Sequence, residues 1–181
     1  MAALGAPFRT AVPGNGIMIF VTVGAQMPFD RLISTIDEWA RSTGRKDVFA
    51  QIGQTSYRPS SIQWAQFLKP EEFLRHYESA RVVIAHAGTG SIITALQLGK
   101  PILVMPRQAS LYETRNDHQV ATCKQFCRFD SVIVAADEKE LLAKLEKIDE
   151  MDGRQALGSH ASPELIKAIR NFIDGVEPQC L

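Results

Sequence analysis

Alternating strand and helix patterns run along this chain from residue 17 onward, and they constrain its fold more than any other feature. Short apolar runs rich in β-branched residues predict buried strands, and segments with apolar residues three or four positions apart predict helices. The predicted strands span 17–24, 47–53, 62–68, 81–88, 100–106 and 131–136. The predicted helices span 28–42, 69–80, 89–99, 137–148 and 162–175, and 112–129 is predicted to be a loop that passes into a helix.

This alternation predicts an α/β fold, a Rossmann-like doubly wound parallel sheet with helices on both faces. The 181 residues fit a single domain, which we expect to span 17–175 between flexible tails at 1–16 and 176–181. Pro28 suits the first turn of its helix, and Asp137 suits the N-cap of another. Ligands of such sheets bind where the carboxyl ends of strands meet the starts of helices.

Charge and composition exclude several classes of protein. The formal net charge is zero and the pI is near 6.9, so the basic excess of a nucleic-acid binder is missing. No apolar stretch approaches the roughly 20 residues that span a bilayer, and the N-terminal residues lack a signal-peptide pattern. Three cysteines without a CxxC pair indicate reduced thiols and no metal site. We therefore expect a soluble, cytoplasmic protein.

The turn "HAGTGS" at 86–91 is the strongest local signal for a ligand. We expect Gly88 and Gly90 to adopt positive φ and to allow close approach of a ligand. The free amides of the helix that follows would attract a phosphate or diphosphate, and Thr89 and Ser91 could add hydroxyl donors. A tight corner without a ligand is the alternative. Neither a GxGxxG pattern nor a Walker loop occurs, which disfavours nicotinamide cofactors and NTP hydrolysis.

Two neighbouring features add to this signal. His86 ends a predicted strand just before the turn, where it could contact a phosphate or a sugar hydroxyl, or move a proton. A buried structural histidine is the equal alternative. The loop "VGAQMPFD" at 23–30 offers Gly24 and the amides around Ala25 and Gln26 as further anion contacts, unless it is an ordinary βα loop.

The segment "YETRNDHQ" at 112–119 places hydrogen-bonding side chains in close succession after a predicted core strand. Such density suits a polyhydroxylated ligand, although a solvated loop has the same composition. Glu113, Asp117 and His118 could also suggest a metal. All three belong to one local segment without a distant partner, so we discount that alternative.

Three stretches together resemble the C-terminal, donor-binding half of GT-B glycosyltransferases: "VTVGAQMPFDRLI" (21–33), "AHAGTGSIITALQLGKPILVMPR" (85–107) and "NDHQ" (116–119). The resemblance covers roughly 17–150. It is to the single-domain group with the glycosyltransferase family 28 C-terminal type of domain. That group includes the catalytic subunit of the two-part UDP-GlcNAc transferase of N-glycan precursor synthesis and bacterial relatives in exopolysaccharide assembly.

The resemblance implies a site made by four segments. The diphosphate of UDP would lie on 88–91 and on 24–26, the uracil on 64–68, and the donor sugar on 116–119. The implied substrate-binding residues are Gly24, Ala25, Gln26, Trp64, Phe67, Leu68, Gly88, Thr89, Gly90, Ser91, Thr94, Arg107, Glu113, Asn116, Asp117 and His118, with His86 and Gln119 as catalytic candidates.

Thr94 departs from the family pattern, because many relatives have a glutamate there that binds the ribose hydroxyls. Glu113 could substitute for it from the next loop. From the loop geometry we also expect Gly88→Val to abolish UDP binding while leaving the fold largely intact.

The resemblance also implies partners. In GT-B enzymes the reaction takes place in the cleft between two Rossmann-like halves. This chain is long enough for only one of these halves. We therefore expect a membrane-anchored acceptor-domain subunit, which holds this chain peripherally on the cytosolic face of a membrane. The reaction would be inverting transfer of GlcNAc, glucose or glucuronate from a UDP-sugar to a lipid-linked glycan acceptor, without a metal or another cofactor. An acidic sugar would favour Arg107 or Arg115 nearby.

Two other functions fit the same residues. One is a non-catalytic nucleotide-sugar binding module. The other is an unrelated Rossmann-like enzyme that acts on a phosphorylated metabolite with His86 as acid or base. Protection of the chain by UDP, and turnover in the presence of a partner subunit, would separate these functions.

Overall fold

The computed structural model describes residues 19–152 and contains one six-stranded sheet in which all strands are parallel. The strands are β1 (Ile19–Thr22), β2 (Val48–Gln51), β3 (Gln63–Ala65), β4 (Val82–His86), β5 (Ile102–Met105) and β6 (Val132–Val134). The helices are α1 (Asp30–Thr43), α2 (Pro70–Ser79), α3 (Thr89–Gln97), α4 (His118–Phe126) and α5 (Glu138–Leu145). Short 3₁₀ turns lie at Ala109–Leu111 and Ile148–Glu150.

The three central strands are buried on both faces, which explains their continuous apolar sequences. All side chains of β1 and β5 are buried, and so are the first four of β4. β3 forms an edge of the sheet and is only partly covered. The predicted α/β fold with a doubly wound parallel sheet is therefore confirmed.

Helices cover both faces of the sheet, as the alternating pattern predicts. α1 and α5 pack on one face through an apolar cluster that includes Leu32, Ile36 and Leu145. The other helices pack on the opposite face, where Tyr77 and Ile92 are fully buried. Two separate cores thus hold the sheet rigidly between them.

The strand order is β3-β2-β1-β4-β5-β6, so the direction of winding reverses between β1 and β4. Thr22 at the end of β1 pairs with Ala85 of β4, which brings the loops after these two strands side by side. A crevice at such a reversal is the usual ligand site of an open α/β sheet. The loops 23–29 and 87–88 frame this crevice.

The ends of the elements differ from prediction in three places. α1 begins at Asp30 with Phe29 as its N-cap, so the placement of Pro28 in the first helical turn was wrong. The strands are shorter than the apolar runs, because flanking apolar residues fill the cores without strand pairing. In the segment after β5, a 3₁₀ turn comes before α4. The N-cap at Asp137 is confirmed, since its carboxylate accepts a 2.8 Å hydrogen bond from the amide of Glu140.

Several predictions fall outside the described residues. They are the N-terminal tail at 1–16, the start of the first strand at 17–18, the helix at 162–175 and the C-terminal tail at 176–181. Among the helices between residues 19 and 152, none is long and apolar enough to cross a membrane.

Candidate functional site

The N-terminus of α3 presents unbonded amides to the crevice between β1 and β4. Gly88 is the N-cap, and no side chain caps this end of the helix. The first backbone hydrogen bond is donated by Ile92 to the carbonyl of Gly88, at 3.1 Å. The amides of residues 89–91 therefore have no acceptor within residues 19–152. Free amides combined with the positive end of the helix dipole favour a bound anion.

The glycines of this turn serve different purposes from those that the sequence suggests. Neither Gly88 nor Gly90 has positive φ, so that expectation was wrong; positive φ occurs instead at Gly24, where it is 75°. A Cβ atom at Gly88 would lie 2.2 Å from Nε2 of His86, whereas a Cβ at Gly90 would meet nothing within 4 Å. Gly88 thus makes room for a neighbouring ring, and Gly90 leaves open space above the free amides.

The ring of His86 fills the space between the two loops. It lies against Gly88 on one side and Gly24 on the other, where an added Cβ would be 2.7 Å from Cε1. A valine at Gly88 would strike this ring, which contradicts the expectation that Gly88→Val leaves the fold intact. Nδ1 is buried without a well-formed hydrogen bond. Burial, and then the charge of Arg107, lower the pKa of His86 to about 4. A pKa this low keeps the ring in its neutral form at pH 7.

Arg107 holds the loop after β1 in place. Its side chain is buried, and Nη2 donates hydrogen bonds to the carbonyls of Val23 and Met27. The guanidinium lies 5.2 Å from the centre of the Phe29 ring. Burial lowers the pKa of Arg107, and Glu113 nearby partly offsets this. Because Nη2 is engaged by main-chain carbonyls, Arg107 is better placed to position this loop than to bind a sugar carboxylate.

Internal hydrogen bonds organise the segment between β5 and α4. The Oδ1 atom of Asp117 accepts a 2.9 Å hydrogen bond from the amide of Ala109, and Asn116 contacts His118. Gln119 is 4% exposed, and its Oε1 accepts a 3.1 Å hydrogen bond from the amide of Arg107. The sequence predicts a dense run of hydrogen-bonding side chains here, and some of them bond to the segment itself.

The predicted base-binding segment begins in β3. The indole Nε1 of Trp64 donates to the carbonyl of Pro59, while Arg58 lies over the ring. Phe67 is 48% exposed and Leu68 is partly buried in the loop that follows. The loop after β1 is separated from this segment by β2, and its residues Ala25 and Gln26 are exposed.

The sheet order brings these segments to one edge, the carboxyl ends of the strands. A cavity of about 470 Å³ lies at the opposite edge, near Pro101 and Ile133, and none of the predicted site residues lines it. Within the described chain, no three His, Cys, Asp or Glu side chains are grouped to hold a metal ion.

Sequence reasoning missed four residues beneath the site: Thr22, Arg31, Gln51 and Gly53. Thr22 and Gln51 are polar residues at the ends of otherwise apolar strands, a signal that could have identified them. Arg31 shows no such signal, because its partners lie more than 70 residues away.

A known protein family matches a stretch that contains all of these segments. The model of the glycosyltransferase family 28 C-terminal domain matches residues 18–174, most of the chain. This chain belongs to that family.

Curated relatives of this family 28 chain include the UDP-N-acetylglucosamine transferase subunit ALG13 of Homo sapiens. It is 29% identical over 117 residues, which are 59% of this chain and 10% of that protein. The protein of the same name from Yarrowia lipolytica is 24% identical over 134 residues, which are 67% of this chain and 66% of that one. The chain thus spans only a small part of the human relative and about two thirds of the yeast one.

Solved structures share the fold of this family 28 chain. A solution structure of ALG13 has a TM-score of 0.56 and 19% identity, with 86% of this chain and 94% of that chain covered. MurG from Acinetobacter baumannii has a TM-score of 0.58 and 18% identity, with 90% and 51% covered. The family match and these likenesses confirm the assignment of the fold to the C-terminal half of a GT-B architecture.

The position that departs from the family pattern has a clear environment here. The hydroxyl of Thr94 donates a 2.9 Å hydrogen bond to the carbonyl of Gly90, within the first turns of α3. The carboxylate of Glu113 is held in two bonds of 2.7 and 2.8 Å by Arg31, and it also accepts from the amide of Gln108. Both carboxylate oxygens of Glu113 are thus engaged within the chain, and its contact with ribose stays a prediction.

Proposed function

We propose that this chain is the donor-binding, catalytic subunit of a two-component inverting glycosyltransferase that uses a UDP-sugar. The observation that carries the proposal is the set of free amides at 89–91, at the point where the winding of the sheet reverses. The predicted base segment after β3 lies on one side of them and the predicted sugar segment after β5 on the other. This order fits a nucleotide-sugar laid across the carboxyl edge.

The geometry suits a departing nucleoside diphosphate. As the bond to the sugar breaks, negative charge grows on the diphosphate, and oriented amides at a helix N-terminus stabilise that charge without reorganising. The buried guanidinium of Arg107 beneath the adjacent loop adds positive potential. We propose on this basis that the chain needs no metal or other cofactor.

The donor sugar is proposed to be GlcNAc. The relatives named above are UDP-N-acetylglucosamine transferase subunits, which supports this choice over glucose. A glucuronate would need a cation, and Nη2 of Arg107 is already engaged by main-chain carbonyls. Asp117 and Gln119 remain the proposed contacts to the sugar hydroxyls.

The acceptor half is proposed to come from a second, membrane-anchored subunit. The word "subunit" in the names of the relatives supports a partner, and the fold is one half of a GT-B architecture. The acceptor would be a lipid-linked glycan in polysaccharide or glycolipid assembly, with this chain peripheral on the cytosolic face. We propose that the general base comes from the acceptor half.

The proposal is tested with the full chain, its co-purified membrane partner, radiolabelled UDP-GlcNAc and a membrane extract that contains the lipid acceptor. We expect labelled lipid only when both subunits are present. UDP should raise the melting temperature of the chain alone, whereas ADP at the same concentration should not.

The competing functions give different results. Protection by UDP without transfer in any combination would favour a binding module. No protection by UDP, with protection by another phosphorylated metabolite, would favour an unrelated enzyme and overturn the proposal.

A further inference from the structure

A buried polar pair lies beneath the proposed site, at the ends of β1 and β2. Thr22 and Gln51 are paired in the sheet and are 0% and 4% exposed. The Thr22 hydroxyl donates a 2.7 Å hydrogen bond to Oε1 of Gln51. Burying polar groups in an apolar sheet costs stability unless their hydrogen bonds are satisfied. The other hydrogen bonds of this pair join it to two loops of the proposed site.

Both loops that flank the pair are bonded to it. Nε2 of Gln51 donates to the carbonyl of Gly24 at 3.1 Å and to the carbonyl of Gln66 at 3.2 Å. The amide of Gly24 donates to the hydroxyl of Thr22 at 3.1 Å. Gly24 belongs to the proposed diphosphate loop, and Gln66 lies inside the proposed base-binding segment. One side chain therefore joins these two parts of the site.

Gly53 and Arg107 complete this support. Gly53 has positive φ, and a Cβ there would lie 3.1 Å from Val23, so the chain packs tightly under the loop. From the β5 side, Arg107 donates to the carbonyls of Val23 and Met27. The amide of Arg107 donates to Gln119 of the proposed sugar segment. The loop after β1 is thus fixed on both flanks.

We propose that Gln51 is a positioning residue that sets the distance between the base-binding and diphosphate-binding segments, with Arg107 fixing the same loop from the other side. This inference rests on the proposed function. A ligand whose two parts bind two segments gains from their linkage only when the segments are held at the matching separation. Gln51 makes no contact with ligand in this role.

The test replaces Gln51 with methionine, which has a similar length but no amide donors. The dissociation constants of UDP, uridine and inorganic pyrophosphate are measured for the full chain by NMR titration. We expect UDP to bind about tenfold more weakly in Gln51→Met, because the linkage advantage is lost. Uridine and pyrophosphate alone should each change by less than about threefold, because each segment still binds its own part.

A matched control separates positioning from general stability. Leu145→Ala removes a fully buried side chain of α5 that belongs to neither loop, so it should lose stability and keep the affinity for UDP. Equal weakening of UDP and of both fragments in Gln51→Met would indicate a structural role and overturn the inference. Unchanged UDP affinity would overturn it as well.

A second measurement needs no ligand. The amide of Gly53 donates a 2.9 Å hydrogen bond to the carbonyl of Gln66, and the amide of Gly24 is bonded to Thr22. We expect both amides to exchange hydrogen faster in Gln51→Met, relative to amides of β5, but not in Leu145→Ala. Unchanged exchange would show that Gln51 does not hold the two loops and would overturn the inference. Failure of the wild-type chain to bind UDP would instead overturn the proposed function, and the donor-site role with it.

Discussion

His86 shows how a residue beside a ligand turn can serve the turn itself. Its ring is wedged between Gly24 and Gly88, and the absence of a Cβ at both glycines allows it to lie there. The sequence places a histidine and a glycine two residues apart, but only coordinates show that they touch. Sequence reasoning therefore identified the right turn and gave the wrong reason for Gly88.

Burial of a neutral His86 should make stability depend on pH. The pKa is about 4 in the folded state and about 6.5 when unfolded. The unfolded chain thus binds the proton more tightly, and stability falls as pH drops from about 6.5 to 4. The full loss from this residue is about 3 kcal/mol. Urea denaturation across this window should show a flatter profile for His86→Gln.

Other groups do not mask this effect. His76, whose pKa burial also lowers, contributes equally to the wild type and the variant. Asp37 has a lowered pKa, so its stabilising effect is lost only at more acidic pH. Identical slopes for wild type and His86→Gln would contradict the burial of a neutral ring.

Gly88 and Gly90 should respond in opposite ways to alanine. The Cβ of Gly88→Ala would strike His86, so we expect a loss of about 1–3 kcal/mol of stability. Gly90→Ala has free space and a better helix former, so stability should stay equal or rise by up to about 1 kcal/mol. Its methyl group would cover the free amides, so UDP should bind at least about tenfold more weakly. Thermal unfolding and UDP titration measure both effects.

A double variant isolates the contact. The stability loss of Gly88→Ala should shrink when His86 is also replaced by alanine, because the colliding ring is gone. Wild-type affinity for UDP in Gly90→Ala would remove the diphosphate from this turn.

At the scale of elements, the hydrophobic pattern predicted every β-strand and α-helix within the described residues, but it predicted the ends of these elements less accurately. Asp137 is placed correctly because its signal is local: an acidic N-cap before a helical repeat. The start of α1 was missed because Phe29 packs into the core and serves as the N-cap without a capping side chain. Beside the 3₁₀ turn at Ala109–Leu111, the amides of Gln108 and Ala109 donate to the carboxylates of Glu113 and Asp117, five and eight residues later. Neither spacing belongs to a helix or strand period, so the sequence pattern did not indicate this turn.

The N-cap of α5 can be tested alone. Asp137→Ala removes the acceptor for the amide of Glu140 and should cost about 1 kcal/mol in urea denaturation, whereas Asp137→Ser should retain most of that stability. α5 packs against the face of the sheet with α1, so neither change should alter affinity for UDP. A large effect on UDP affinity would show that α5 supports the site.

At the scale of the whole molecule, alternation predicts a parallel sheet but not the order of its strands. The reversal between β1 and β4 arises because the chain adds β2 and β3 toward one edge of the sheet and β4 to β6 toward the other. No single segment encodes that choice. The buried network of Thr22, Gln51 and Arg107 depends on the same order, so residue patterns could mark Thr22 and Gln51 but not the bonds that they make.

The strand order makes a prediction for the entire chain. All proposed ligand contacts lie at the carboxyl edge, so adding UDP should slow hydrogen exchange in 23–27, 64–68 and 88–91. The amino edge should not change, because the rigid sheet separates it from the ligand by the length of its strands. Exchange measured by mass spectrometry with saturating UDP tests this pattern, and ADP provides the control. Protection that instead centred on the cavity near Pro101 and Ile133 would move the nucleotide to the opposite edge and refute the site.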